Sequence, residues 1–226
     1  MRGRTFVFGS SGFLFRSNKL MYDQQTKSLW HHMRGEPVVG PLADSGIRLK
    51  PRPVVTTTWR DWVRAHPQTK VLDIETGHVR DYTPGQPYGR YYASPNTMFP
   101  VFPRSTALAA KDVVFVLRLD PRRKVYPLAI FDREPVVNDT LGATAVVIVG
   151  RSATRTARAY ERGMLTFRPG RGLDELFEQA SGQVWRVEEE ALVHPGSGRR
   201  LPRLAGHNAF WFGWFAFHPD TPVYGR

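Results

Sequence analysis

The segment WRDWVRAHPQT at residues 59–69 recurs in related form as WFGWFAFHPDT at residues 211–221. Two Trp, one His, one Pro and one Thr match at the same spacing. Because Trp is a rare residue, chance agreement of this extent is uncommon, and a repeat has to be recognised before single elements are interpreted. The two segments therefore predict an internal duplication.

The similarity extends upstream of these segments. Residues 22–24 (YDQ) align with 177–179 (FEQ), and residues 28–30 (SLW) align with 183–185 (QVW). The loop after the first Trp is shorter in the second copy, as loops tolerate deletions. The predicted repeat thus covers more than one element.

These alignments predict a domain organisation of about one and a half units. We expect the C-terminal part of a first unit at residues 4–75 and a complete second unit at residues 111–226. A connecting loop rich in Gly, Pro and Tyr would occupy residues 76–110. Ordered loops of that length are often functional, and a plain linker is the alternative.

Each repeated segment predicts one short helix. Hydroxyls at Thr56–Thr58 can cap a helix over residues 59–66, and Pro67 ends it. Asn208 is the corresponding cap for residues 209–217. The second helix is apolar nearly all round and is expected to be buried, whereas the first is expected to be peripheral.

The rest of the pattern is typical of β-structure. Runs of β-branched and aromatic residues separated by turn residues predict antiparallel strands. They cover residues 5–8, 113–119, 124–131 and 144–149, with turns at 120–123 and 138–142. We therefore expect an α+β fold made mainly of antiparallel β-sheet with few short helices, built from the duplication.

Composition excludes several classes of protein. The 226 residues are 41% hydrophobic, which is enough for a packed core, and the chain has no cysteine. Disulfides, zinc–thiolate sites and Fe–S clusters are thereby excluded. No apolar run is long enough for a transmembrane segment, and the residues after Met1 lead directly into a predicted strand without the apolar core of a signal peptide. The formal net charge of +12 is spread along the chain, which argues against nucleic acid as the partner.

The repeated aromatic residues are the candidate binding positions. Residues i, i+3 and i+7 lie on one face of a helix, so each copy forms a stripe that either packs in the core or lines a cleft between the units. The candidates comprise these two stripes, the aligned Trp pair and an aspartate near the first of that pair: Trp59, Trp62, His66, Trp211, Trp214, His218, Trp30, Trp185 and Asp23. The Asp23 carboxylate and its counterpart Glu178 are equally explained as turn residues.

No catalytic or metal motif stands out. An enzyme would have to combine His66 or His218 with a carboxylate, for which the candidates are Asp61, Asp139 and Asp220. The adjacent His31 and His32 would point to opposite faces of a strand, and no His-Glu-x-x-His spacing occurs, so we expect neither a metal nor a cofactor.

Several motifs resemble the bacterial and archaeal domain of unknown function 3179 family. They are FGSSGFL at 8–14, LMYD at 20–23, SLW at 28–30, GEPVVGPL at 35–42, TTW at 57–59, HP at 66–67 and FWFGW at 210–214. The resemblance covers essentially the whole chain. It implies no activity, substrate or catalytic residue, and it suggests an exported protein of the cell envelope.

The resemblance also implies that a leading segment with a Cys-Pro-Leu-Cys motif usually precedes the first unit. In the second unit the corresponding part is Val125-Tyr-Pro-Leu128, Val137-Asn-Asp139 and Val146–Gly150, without cysteine. A truncated first unit would leave an unpaired sheet edge near residues 5–8, at which a homodimer can form.

Together these observations predict a non-catalytic binding or assembly module of the cell envelope that uses Trp, Tyr and Arg surfaces, with an unknown ligand or partner protein. Two alternatives stay open. One is an enzyme with a His/Asp site in the cleft between the units. The other is a basic protein that attaches to polyanions or to an anionic membrane surface.

Overall fold

The computed structural model describes residues 3, 5–83, 85–86 and 88–226. The described residues form strands in four antiparallel sheets, together with short helices. The strands are β1 Phe8–Phe15, β2 Asn18–Asp23, β3 Leu29–His31, β4 Glu36–Val39, β5 Val113–Leu119, β6 Arg122–Pro127, β7 Val136–Leu141, β8 Thr144–Arg151, β9 Thr156–Glu161, β10 Phe167–Gly170, β11 Gly172–Glu178, β12 Val184–Val187, β13 Ala191–Val193, β14 Arg200–Pro202 and β15 Gly206–Phe210. The helices are α1 Trp59–Ala65, α2 Gly89–Ala93 and α3 Trp211–Phe215.

The strands are ordered simply within each sheet. Sheet I has the order β1-β2-β3-β4, and sheet II has the order β15-β5-β6. Sheet III is β7-β8-β9, and sheet IV runs from β10 to β14 in sequence order. The predicted fold class is therefore confirmed as mainly antiparallel sheet with few short helices. No described helix has the length and apolar character needed to cross a membrane.

Sheets II, III and IV and helix α3 pack as successive layers. In β5, Phe115 packs against sheet III, whereas its neighbour Val116 packs against α3. In β8, Ile148 packs against sheet II, and Val147 packs against sheet IV. Because successive residues of a strand point to opposite faces, burial of both faces explains why these two strands are continuous apolar runs.

The prediction for α1 is confirmed. The Thr58 side chain accepts a hydrogen bond from the Asp61 N–H, and the helix ends at His66. Helix α1 contains no buried residue, whereas Trp211, Gly213 and Trp214 of α3 are buried. The predicted contrast between a peripheral first helix and a buried second helix is therefore correct.

The predicted start of the second helix is wrong. Residues 206–210 form β15, which pairs with β5, and α3 begins only at Trp211. Asn208 lies within that strand and donates its side-chain N–H to the Arg155 carbonyl instead of capping a helix. Pairing with a buried central strand thus outweighs the local capping preference.

Two strand predictions also need correction. The run at 124–131 stays extended only to Pro127, and Leu128–Asp132 forms a 3₁₀ turn. The predicted turn at 138–142 is mostly strand β7, and the chain reverses at Gly142, whose φ is 65°. As a result, β6 and β7 belong to different sheets.

The N-terminal strand begins later than expected. The predicted strand at residues 5–8 becomes regular only at Phe8, and β1 is the edge strand of sheet I. Arg4, the predicted first residue of the first unit, lies outside the described residues. Residues 76–110 contain α2 and no strand in their described part. The domain boundaries and the duplication stay predictions.

Candidate functional site

A cleft of about 710 Å³ lies between α1 and the second half of the chain. We call it the α1 cleft. One wall comes from α1 and its flanks, and the other comes from β8, β9, β11 and β12. The lining residues are Thr57, Asp61, Trp62, Arg64, Ala65, His66, Arg151, Thr156, Arg158, Arg171, Gly172, Leu173, Asp174, Val187 and Glu189. Two of the predicted stripe residues, Trp62 and His66, therefore lie at this cleft.

The Trp62 and His66 side chains form a fixed pair. Their ring centroids lie 4.1 Å apart, and the Trp62 Nε1–H donates to Thr69 Oγ1 at 3.0 Å. The His66 backbone N–H donates to the Trp62 carbonyl, which closes the helix. Trp59, the third member of the stripe, is 54% exposed and does not line the cleft.

Two acidic residues of the cleft are already paired with arginine. Asp61 lies 3.1 Å from Arg64, and Glu189 accepts hydrogen bonds from Arg158 and Arg203. Burial raises the pKa of Glu189, but the hydrogen bonds and charges of its two arginines outweigh that effect and lower it. Both carboxylates therefore already have arginine partners.

Two arginines of the cleft stay uncompensated. Arg151 ends β8, and Arg171 forms the turn between β10 and β11; both are exposed. Neither makes an ion pair with any residue that the structure describes. Asp174 is the remaining acidic residue of the lining. The cleft consequently offers two free guanidinium groups beside an aromatic pair.

The second Trp–His pair is packed in the interior. Trp214 is fully buried, donates to Thr221 Oγ1 at 3.0 Å, and lies 4.2 Å from the His218 ring. His218 Nδ1 accepts a hydrogen bond from Arg123. Burial, with a smaller contribution from the Arg123 charge, lowers the pKa of His218 to about 4. This histidine is therefore neutral at physiological pH.

Phe217 and His31 fill the space beside this second pair. The His31 ring is buried, 3.8 Å from the Phe217 ring, and burial lowers the pKa of His31 to about 3. The Arg16 guanidinium, at the turn between β1 and β2, donates to the Ala216 carbonyl. Side chains therefore fill the space beside the Trp–His pair of α3, whereas the space beside the Trp–His pair of α1 is the open α1 cleft.

Most of the other predicted site residues support packing. Trp30 is buried and donates to Asp23 Oδ2 at 2.9 Å, and Trp185 is buried and donates to Glu178 Oε2 at 3.3 Å. Burial raises the pKa of Asp23, but hydrogen bonds from Trp30 and Thr26 outweigh it and lower the pKa. These residues lie in sheets I and IV, and none of them lines the α1 cleft.

Trp211 also lies in the core. It is 2% exposed, and its indole Nε1 is buried without a hydrogen-bond partner in the described part of the chain. Its ring contributes to a separate, largely apolar cavity under residues 95–105. Trp211 and Trp62 therefore do not share one cleft.

The described residues do not assemble a histidine–carboxylate pair from the predicted candidates. Asp61 is paired with Arg64, and Asp139 binds Lys124 and Tyr126. His218 Nδ1 is occupied by Arg123. Among the described residues, no group of three or more His, Asp or Glu side chains is placed to hold a metal ion.

The two free arginines were not identified from the sequence. Arg151 and Arg171 belong to neither repeated segment, and their distance in sequence from Trp62 hides their spatial proximity. The position of Arg171 is the one available signal. It follows Gly170 at a hairpin turn, where a long side chain can reach a neighbouring element.

A family model described as "Protein of unknown function (DUF3179)" matches residues 1–221. No curated protein matches the chain, and no solved structure does.

Proposed function

This chain belongs to the DUF3179 family, whose description states no function, and on that premise we propose that it is a non-catalytic binding module for an anionic ligand. The ligand enters the α1 cleft. In agreement with the family resemblance in the sequence, we place this module at the cell envelope.

One observation carries the proposal. Arg151 and Arg171 line the cleft without an acidic partner among the described residues, while Asp61 and Glu189 are already neutralised. An arginine guanidinium presents several N–H donors in a planar fork that matches a carboxylate or phosphate group. The lining also holds the carboxylate of Asp174, so the two free guanidinium groups leave an excess of positive charge that favours an anion.

The rest of the lining suggests what else the ligand carries. Trp62 provides an aromatic surface, and Leu173 and Val187 provide aliphatic surface. A cleft of this volume accommodates a molecule of roughly drug size. We infer a ligand that combines a carboxylate, sulfate or phosphate group with a flat or apolar face, such as a charged saccharide.

The predicted duplication gives this cleft a structural origin. The alignment of the Trp–His segments pairs Ala65 with Phe217. Extending the alignment of residues 22–24 with 177–179 toward the N-terminus without a gap pairs Phe15 with Gly170 and Arg16 with Arg171. The repeated indole hydrogen bonds and Trp–His ring distances support the duplication. We propose that the two units have a common origin and that each makes an equivalent helix–sheet contact. The small residues Ala65 and Gly170 leave open, at α1, the space that Phe217 and Phe15 fill at α3.

Isothermal titration calorimetry with inorganic phosphate and a panel of carboxylated, sulfated and phosphorylated saccharides tests the proposal. We expect at least one panel member to bind, and Arg171→Ala or Arg151→Ala to weaken its binding by about tenfold. That loss corresponds to about 1.4 kcal/mol, a modest value for a charged hydrogen bond because both side chains are exposed.

Arg60→Ala is the matched control, because Arg60 belongs to α1 but does not line the cleft. The control should bind like the unmodified protein. Absence of any binding across the panel, or equal binding by all three variants, would show that the cleft is not an anion site.

A further inference from the structure

Six large apolar side chains are exposed in two segments that a hydrogen bond joins. Three lie at the tip of the β1–β2 hairpin, and three lie in the loop before β5. They are Phe13, Leu14, Phe15, Met98, Phe99 and Phe102, with exposed fractions from 44% to 64%. We call them the aromatic patch. A cluster of exposed apolar side chains marks an interaction surface, whereas single exposed apolar residues are common on any protein.

Direct contacts bring the two segments together. Ser17 Oγ, at the hairpin turn, donates to the Phe99 carbonyl at 3.1 Å. The turn residues Arg16 and Ser17 have φ values of 49° and 58°, as in the tight hairpin turns that match strand twist. The Phe15 ring packs 5.5 Å from Phe217. The patch is thus held on the α3 side of the fold.

The charge around the patch has one sign. Residues 1–22 and residues 82–111, which contain the whole patch, include no Asp and no Glu. Arg16, Lys19 and Arg104 are the basic residues nearest to the patch in sequence. The Arg104 guanidinium lies over the Phe102 ring, 5.3 Å from its centroid. The Arg16 guanidinium likewise lies 5.3 Å from the Phe15 ring centroid. An apolar surface with guanidinium groups over two of its rings is complementary to an anionic, partly apolar partner.

A second copy of the chain fits this surface less well. Pairing along the free edge of β1 would need a regular ladder of unpaired backbone groups. The pairing of β1 with β2 shifts register between Ser10 and Leu14, and the Phe13 N–H is bonded to Ser11 Oγ. Such a bulge interrupts the edge that an added strand would use.

We propose that the aromatic patch docks the protein on the surface of an anionic lipid bilayer. The Phe13, Leu14 and Met98 side chains enter the headgroup and acyl boundary, and the neighbouring cations contact lipid phosphates. Interfacial binding of this kind combines buried apolar area with attraction to anionic lipids. The inference goes beyond the proposed function, since it concerns a different surface from the α1 cleft.

The absence of cysteine permits a direct insertion measurement. Phe13→Cys provides one attachment point for an environment-sensitive dye. With vesicles that contain phosphatidylglycerol we expect a blue shift and a gain in dye fluorescence, and with phosphatidylcholine vesicles we expect neither. About 0.5 M NaCl should abolish the signal because it screens the charges over a few Å.

Leu72→Cys is the matched dye position, because Leu72 is 90% exposed but adjoins Asp73. A dye at position 72 should not respond to either vesicle. An equal response at positions 13 and 72, or no response at position 13, overturns the proposal.

Vesicle co-sedimentation of unlabelled protein provides a second test. The double variant Phe13→Ser/Leu14→Ser should bind anionic vesicles at least about tenfold more weakly, because it removes two inserted side chains. Val71→Ser/Leu72→Ser removes two apolar residues that are still more exposed but lie elsewhere, and it should bind normally. Unchanged vesicle binding by the patch variant overturns the proposal. The proposal is also overturned if sedimentation velocity shows that the unmodified protein is a stable dimer and that the patch variant is a monomer. That result identifies a second copy of the chain as the occupant of the patch.

Discussion

At the residue scale, four of the six tryptophans satisfy their indole N–H in the same way. Trp30 and Trp185 donate to a carboxylate seven residues earlier, and Trp62 and Trp214 donate to a threonine seven residues later. A buried indole N–H usually has such an acceptor, and Trp211 is an exception in the described part of the chain. Because each acceptor lies seven residues from its tryptophan, these hydrogen-bonded pairs can be recognised in the sequence once the structure has shown which residues pair.

Buried histidines make stability depend on pH at this scale. Burial lowers the pKa of His31 to about 3, whereas an unfolded histidine titrates near pH 6.5. Between these values the unfolded chain binds a proton that the folded chain does not, so the free energy of unfolding falls as pH falls from about 6.5 to about 3. The His31 contribution to this slope is at most about 1.4 kcal/mol per pH unit.

We predict that His31→Gln reduces the slope by up to this amount, measured by urea unfolding at several pH values between about 6.5 and 4.5. His78→Gln, at an exposed histidine, is the control variant. A His31→Gln slope equal to that of the unmodified protein would contradict the prediction. His207 and His218, each with a pKa lowered by burial to about 4, contribute in the same direction.

At the element scale, the closeness of β15 to β5 depends on a residue without a side chain. Gly206 of β15 lies opposite Leu117, and a Cβ added at Gly206 would overlap the Phe115 ring. Phe115 is 1% exposed and belongs to the core between sheets II and III. Its ring therefore has little freedom to move away.

We predict that Gly206→Ala destabilises the fold by about 1–3 kcal/mol through overpacking, as measured by urea unfolding. Gly89→Ala is the matched control, because a Cβ at Gly89 meets no atom within 4 Å. The control should be neutral or slightly stabilising, since alanine favours a helix more than glycine does. Equal stability of the two variants would show that the Phe115 ring can shift at little cost.

At the scale of the whole molecule, sheet I and helix α3 are joined although they lie far apart in the chain. The buried Asn18 side chain donates to the Arg16 carbonyl at 2.9 Å and to the Gly213 carbonyl at 3.3 Å. The contact between His31 and Phe217 lies beside this link. The N-terminal sheet is therefore packed against the last helix.

We predict that the protein unfolds in one transition, so that curves from circular dichroism and from tryptophan fluorescence coincide. Asn18→Ala should lower the free energy of unfolding by about 1–3 kcal/mol, because it leaves a buried carbonyl without its donor. Lys19→Ala, at the next and exposed position, should have no such effect. Separate transitions for the two probes would mean that sheet I unfolds independently.

The sequence predicted the elements that depend on local chemistry. The Thr58 cap, the proline after His66 and the residue pattern of 59–66 were sufficient for α1, and the apolar runs located β5 and β8. It failed at residues 208–210, because a helical pattern and a buried strand are both apolar there. Only pairing with β5 decides between them.

The candidate site was predictable in part for a related reason. Trp62 and His66 stood out because their types are rare and their spacing recurs. Arg151 and Arg171 did not, because each is one arginine among many on a chain with a net charge of +12. The free energy of a charge depends on its neighbours, and those neighbours come from distant parts of the chain.

By itself, then, the sequence determined the fold class, the family and the short helix α1, since these follow from residue pattern and spacing. The tertiary structure decided which Trp–His pair is closed and which borders a cleft. It also decided which arginines stay free and which apolar residues meet at one surface. Burial and charge pairing arise only when distant segments pack together, so no local pattern can determine them.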